Sequence, residues 1–238
     1  GGTTIPISIS AYDNLGYEFS KSFQLLVGQP ELIFSDDAES GMDNWNTDNG
    51  WGLSSYEFEG NFSFSDSPQG DYVGDWGTSL MQLESPLDFS EIVDGYLQIK
   101  ASWEIEENWD WAQVLGSTDG YNWIPLQGNF MSGGAGQGIQ DSDEFGYDGQ
   151  SDWVTDNISL SQFSGEPQVY LQFRIESDGY VTGDGIYIDN IKVFGYNAVD
   201  FILGDVNNDG AINVIDIVNI VNIILGGNIT DEDLLVAD

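Results

Sequence analysis

Between Leu97 and Ile105 the chain alternates without a break. Leu97, Ile99, Ala101, Trp103 and Ile105 point one way, and Gln98, Lys100, Ser102 and Glu104 point the other. A period of two belongs to a strand with one face in a core and the other facing water. A slip of one residue would turn the whole apolar set outward, so such a segment constrains register strongly. Val169, Leu171, Phe173 and Ile175 repeat the pattern against Tyr170, Gln172 and Arg174, and Ser117–Trp123 reads as a hairpin turn with an aromatic return. Long Gly/Asp/Ser-rich stretches lie between, above all 132–151, and there is almost no helical period before residue 198. Residues 31–197 are therefore expected to form an antiparallel β-sandwich.

One strand breaks phase. In Gly185–Gly195, Ile186 and Ile188 hold one phase while Ile191 and Val193 hold the other, so an extra residue falls at Asp189-Asn190. That predicts a β-bulge, a device that re-aims side chains at sheet edges and near sites.

The flanks differ. In residues 1–30, Ile5, Ile7 and Ile9 alternate, Asp13-Asn14-Leu15-Gly16 reads as a turn, and Phe19, Phe23 and Leu25 mark a return strand. A lone hairpin is marginal in water, so this is read as the terminal strands of a preceding immunoglobulin-like domain. Gly28-Gln29-Pro30 punctuates the boundary. The opening Gly1-Gly2-Thr3-Thr4 runs straight into strand pattern, as a piece of a longer protein would. In residues 198–238 the apolar spacing becomes helical through Ile215, Val218, Asn222 and Leu225, and Gly226-Gly227 stops it. The expected fold class is mainly β: a jelly-roll β-sandwich with a short C-terminal calcium loop-helix.

Charge and absences limit the chemistry. The 238 residues carry 41 acidic and 4 basic side chains, for a net charge of −37. That field repels phosphate backbones and anionic membranes, and makes cations the natural partners. With no His and no Cys, triads built on them, ordinary zinc sites and disulfides are all excluded within this stretch. Bound calcium can supply the stapling that disulfides give elsewhere. No stretch is long and apolar enough to span a membrane. Forty-one acids make carboxylate pairs easy to find, so their presence alone does not mark a hydrolase. Trp103 and Trp153 fall in strand alternation and are assigned to the core. Trp109, Trp111 and Trp123 lie near turns and are candidates for stacking on sugars.

The motif with the most chemistry is 205–216, with the form D-x-N-x-D-G-x-I-N-x-x-D. Asp205, Asn207 and Asp209 sit at loop positions one, three and five, where their oxygens can converge on one ion. Gly210 permits the sharp turn, the Ala211 carbonyl supplies the seventh position, and Asn213 acts directly or through water. Asp216 closes the shell from position twelve, on the first turn of the helix.

This stretch resembles half of a type I dockerin, the duplicated calcium module that docks onto cohesins. The match covers about forty residues, and Val236-Ala237-Asp238 reads as the start of a second loop. Val214 and Ile215 stand where hydroxyl residues would contact a cohesin, so a cohesin-like partner and another cell-surface partner both stay open. Further upstream, Phe34–Gly41, Asp66–Tyr72, Leu83–Asp88, Trp109–Val114 and Gly183–Ile191 follow in an order that resembles the MAM-like jelly-roll domains accompanying secreted bacterial metallopeptidases of the immune inhibitor A and zinc carboxypeptidase types. The resemblance implies a secreted or cell-surface setting, a peptidase domain upstream, and a non-catalytic accessory role. It also implies a calcium shared by the first acidic strand and the last, carried here by Asp37, Glu39 and Asp189. The parent's substrate, protein or polysaccharide, is the remaining candidate partner. The rival readings are a carbohydrate-binding module, a hydrolase in its own right, and a structural spacer.

Overall fold

The computed structural model describes residues 2–12, 18–48, 50–74, 76–197, 211 and 213–224. The chain divides into two compact units, Gly1–Ala198 and Val199–Asp238. The first holds β1 (Gly2–Tyr12), β2 (Glu18–Gly28), β3 (Glu31–Asp36), β4 (Trp45–Thr47), β5 (Gly52–Ser54), β6 (Ser63–Ser65), β7 (Thr78–Leu83) and β8 (Ile92–Ile105). It continues with β9 (Trp111–Ser117), β10 (Ile124–Pro125), β11 (Ser132–Gly133), β12 (Phe145–Gly146), β13 (Gly149–Ser159), a 3-10 turn at Ser161–Phe163, β14 (Tyr170–Glu176) and β15 (Gly185–Asn197). The second unit holds α1 (Val214–Ile224).

Strands β1 and β2 pair with each other, from Gly2 against Gly28 to Tyr12 against Glu18. The turn expected at 13–16 lies outside the described residues. The remaining strands build two main antiparallel sheets. One runs β10-β9-β14-β7-β4; the other runs β13-β8-β15-β6-β5, with β3 also paired to β15. Their inner faces share one core, which makes the unit a β-sandwich. The alternating sets meet there: Leu97, Ile99 and Ala101 from one sheet and Val169, Leu171 and Phe173 from the other are all buried. Trp45 of β4 ties the two layers together, its ring centroid 5.7 Å from Phe64 of β6 and 5.7 Å from Phe173 of β14.

The bulge in β15 is where the phase break placed it. Asp189 pairs with Lys100 and Lys192 with Gln98, so Asn190 and Ile191 together oppose Ile99. Asn190 takes a positive φ of 48°. The extra residue restores the inward phase, which lets Ile186, Ile188, Ile191 and Val193 all reach the core. It also marks a change of neighbour, since Tyr187 and Ile188 pair with β6 whereas Ile191–Gly195 pair with β3.

One expectation changes in this core. Trp111 is 2% exposed and belongs to the interior rather than to a stacking surface. The reason lies in 132–151, which is not all loop. β11 and β12 form a small hairpin there, and Gly134 and Gly146 lie directly against the Trp111 ring. In the second unit, Val214, Ile215, Ile217, Val218 and Val221 of α1 are exposed.

Candidate binding and metal sites

The first candidate site forms round the β15 bulge. Asp189 is buried, and its carboxylate points at the loop between β5 and β6. Oδ2 accepts the Phe58 and Glu59 N–H groups at 3.0 and 3.1 Å, and Oδ1 accepts its neighbour Asn190 N–H at 2.6 Å. Glu39 reaches the same loop from beyond β3, taking the Asn61 and Phe62 N–H groups at 2.6 and 2.9 Å and the Asn61 side-chain amide at 2.8 Å. Asp37 accepts the Glu39 N–H at 3.3 Å. Burial pushes the Asp189 carboxyl up, with help from the Asp37 charge, while the N–H donors of 58, 59 and 190 pull it down. The Asn61 side chain and the Asn61 and Phe62 N–H groups lower the Glu39 carboxyl. The three sequence-chosen acids thus lie along one clasp. Their donors are hard oxygens of the kind calcium takes, although the Asp189 and Glu39 oxygens already serve backbone N–H groups.

The clasped loop lies on the outer face of the larger sheet as an aromatic lid. Tyr56 stacks on Trp153 at 5.5 Å and meets Tyr187 edge-on at 4.8 Å. Lys100 Nζ sits 4.2 Å from the centre of the Phe58 ring. Trp153, assigned to the core from its pattern, is half-buried in this lid. Trp103 is in the core as expected, its indole N–H on the Asp148 carbonyl at 2.8 Å. Trp109 is exposed and Trp123 half-buried.

The second candidate is a groove of about 950 Å³ bounded by β10 and β13, which are outer strands of the two sheets. Leu126, Met131 and Phe145 supply apolar surface, and Gln127, Asn129, Asn157 and Gln162 supply amides. Its loop is held from beneath by Asp156, which is fully buried. Asp156 accepts the Asn129 N–H at 2.6 Å and the Tyr147 hydroxyl at 2.7 Å. Gly128 passes so close to that carboxylate that a Cβ would collide with it.

In the second unit, Asp205, Asn207 and Asp209 lie outside the described residues. The three remaining loop positions frame the start of α1. Asn213 Oδ1 accepts the Ile215 N–H at 2.8 Å, and Asp216 Oδ2 accepts the Asn213 N–H at 2.7 Å. This is a reciprocal cap on the free N–H groups of a helix start. The Asn213 amide also donates to the Ala211 carbonyl at 3.1 Å. The carboxylate of Asp216 and the carbonyl of Ala211 remain oxygen donors of the type a calcium loop needs.

Sequence reasoning missed a third place, at one end of the sandwich. Glu106, Asp110 and Asp178 present oxygens within 4.8 Å of one another. Glu106 and Asp110 share the short turn between β8 and β9, and the fold brings Asp178 to them from the connection between β14 and β15.

The strands form a two-sheet antiparallel sandwich whose buried acids hold surface loops in place. The chain belongs to the immune inhibitor A-like MAM domain family, which matches over residues 59–198. No curated protein sequence matches it. Among solved structures it is similar to the K3 cleaved adhesin domain of Lys-gingipain from Porphyromonas gingivalis, with 14% identity over 70% of this chain and 99% of that one, at a TM-score of 0.44. It is also similar to the CBM22-1 xylan-binding domain of Paenibacillus barcinonensis Xyn10C, with 10% identity over 73% and 99% of the two chains and a TM-score of 0.43. A third is the C-terminal family 22 carbohydrate-binding module of Clostridium thermocellum Xyn10B, with 13% identity over 71% and 96% and a TM-score of 0.45.

Proposed function

We propose that this chain is a non-catalytic, calcium-binding accessory region that anchors a larger secreted protein, a metallopeptidase, to its substrate or to a surface. The observation that carries the non-catalytic reading is how the buried acids are used. Asp36, Asp156 and Asp189 each accept two or more hydrogen bonds that fix loops and side chains in place. A carboxylate so engaged shapes a surface and is poorly placed to shuttle protons. The family match supports the accessory role and the secreted setting. The jelly-roll winding, the calcium held by 205–216, and a shared calcium at Asp37, Glu39 and Asp189 belong to the same reading.

The groove favours a second reading, a carbohydrate-binding module. Side-chain amides over apolar surface, as at Gln127, Asn129, Asn157 and Leu126, suit the hydroxyls and ring faces of an uncharged sugar polymer. One experiment separates the two: native gel electrophoresis through gels cast with a neutral polysaccharide or with a denatured protein, in calcium and in chelator. We expect one polymer to retard the chain in calcium and to lose its hold in chelator. Retardation by polysaccharide alone selects the sugar-binding reading, and retardation by protein alone the substrate-anchoring one. Free migration through both gels would remove polymer binding altogether.

A further inference from the structure

The acids at the end of the sandwich carry an inference of their own. Glu106 follows β8, Asp110 immediately precedes β9, and Asp178 follows β14. β8 belongs to one main sheet, and β9 and β14 to the other. No other three acidic side chains among the described residues bring their oxygens so close. Asp110 is fully buried and Asp178 is 4% exposed.

Asp110 has its partners: Oδ2 takes the Tyr72 hydroxyl at 2.7 Å and Oδ1 the Asp178 N–H at 2.6 Å. Its two companions are under-satisfied. Glu106 Oε2 is sealed from solvent and has no hydrogen-bond partner. The Asp178 carboxylate accepts a single hydrogen bond among the described residues, from the Tyr180 N–H to Oδ1 at 3.2 Å. No lysine or arginine among them pairs with any of the three, since Arg174 is engaged with Gln113 and Glu176, and Lys100 with Thr155. Buried like charges without a counter-ion are unfavourable, and an unpartnered buried carboxylate oxygen adds its desolvation cost. Burial, with the Asp110 and Asp178 charges, accordingly raises the Glu106 carboxyl.

We propose that Glu106, Asp110 and Asp178 bind a divalent cation, calcium by its chemistry, which staples the connections of the two sheets together. The donors are all carboxylate oxygens, which select a hard ion. The three carboxylates bring oxygens within 4.8 Å of one another, close enough for one ion to touch all three. Ligands from two irregular connections also suit its loose geometry better than a strict octahedron.

This site is independent of those assigned to 205–216 and to Asp37, Glu39 and Asp189; Asp209→Ala removes the first and Asp37→Asn disables the second. The experiment is a calorimetric calcium titration of the whole chain in the background carrying both Asp209→Ala and Asp37→Asn, alone and with Glu106→Gln or Asp178→Asn, paired with thermal melts in calcium and chelator. The background chain is expected to keep a saturable site. Either added substitution should weaken that site at least tenfold and shrink the calcium-dependent rise in melting temperature. Glu106→Gln keeps the test sound if Asp178→Asn fails to fold, because the Glu106 carboxylate accepts no hydrogen bond from the described residues. A background chain that takes up no calcium overturns the proposal, as does Glu106→Gln with unchanged affinity.

Discussion

Asp66 shows at single-residue scale what a deeply buried acid does here. It is 1% exposed, with Oδ1 on the Ile186 N–H at 2.6 Å and Oδ2 buried without a partner. Burial pushes its carboxyl up to about 7, the Ile186 N–H and Ser67 pull the other way, and the Asp184 charge adds a small upward push. The folded state therefore prefers the neutral acid. Its contribution to stability is complete below the unfolded pKa near 3.8 and is lost as pH rises through about 7. Asp66→Asn, which is always neutral, should be more stable than the parent at pH 8, by on the order of 2–4 kcal/mol. The gap should close toward pH 4. Urea melts at both pH values measure it, and equal stabilities at pH 8 would show that Asp66 ionises without cost. Gly185 makes this packing possible: it has a φ of 87°, and a Cβ there would run into the Asp66 carboxylate and the Ser67 hydroxyl.

At the scale of an element, β15 shows how local irregularity builds a site. Its bulge turns Asp189 toward the 56–62 loop, and Glu39 grips the same loop from the far end of the sequence. Asp189→Ala should free the Phe58 and Glu59 N–H groups and lower stability by about 1–3 kcal/mol. Hydrogen exchange by mass spectrometry should show faster uptake in peptides covering 55–62 and no change in those covering β8. Uniform protection across both would mean that the aromatic lid alone holds the loop. This element also shows what sequence could reveal. Strand alternation and the bulge were readable because they are carried by neighbours a few residues apart. The burial of Trp111 was not, because its cover is a hairpin up to 35 residues away built from glycine, serine and polar residues with no apolar period. Nor was the Glu106, Asp110 and Asp178 cluster: the first two share one turn, but Asp178 lies 68 residues beyond Asp110 and reaches them only through sheet order. The spacing at 205–216 predicts a calcium loop, and of its positions Asn213 and Asp216 prove to cap a helix, a role the spacing did not announce.

At the largest scale, the stability of the sandwich rests on contact between two sheets with no disulfide. Phe64 is fully buried where the layers meet, with Trp45 edge-on against it. Phe64→Ala should cost about 3–5 kcal/mol. Chemical denaturation followed by tryptophan fluorescence and by far-ultraviolet dichroism should give coincident, earlier transitions; a loss below 1 kcal/mol would mean that the layers re-close over the cavity. The groove stands apart from this core. Its path is set underneath by Asp156, Tyr147 and Gly128, whereas Gln127, Asn129 and Gln162 only line it. Frame and lining can consequently change at different rates. A lineage of such chains can exchange the residues that line the groove while keeping three anchors constant, and so reshape that surface without solving the folding problem again.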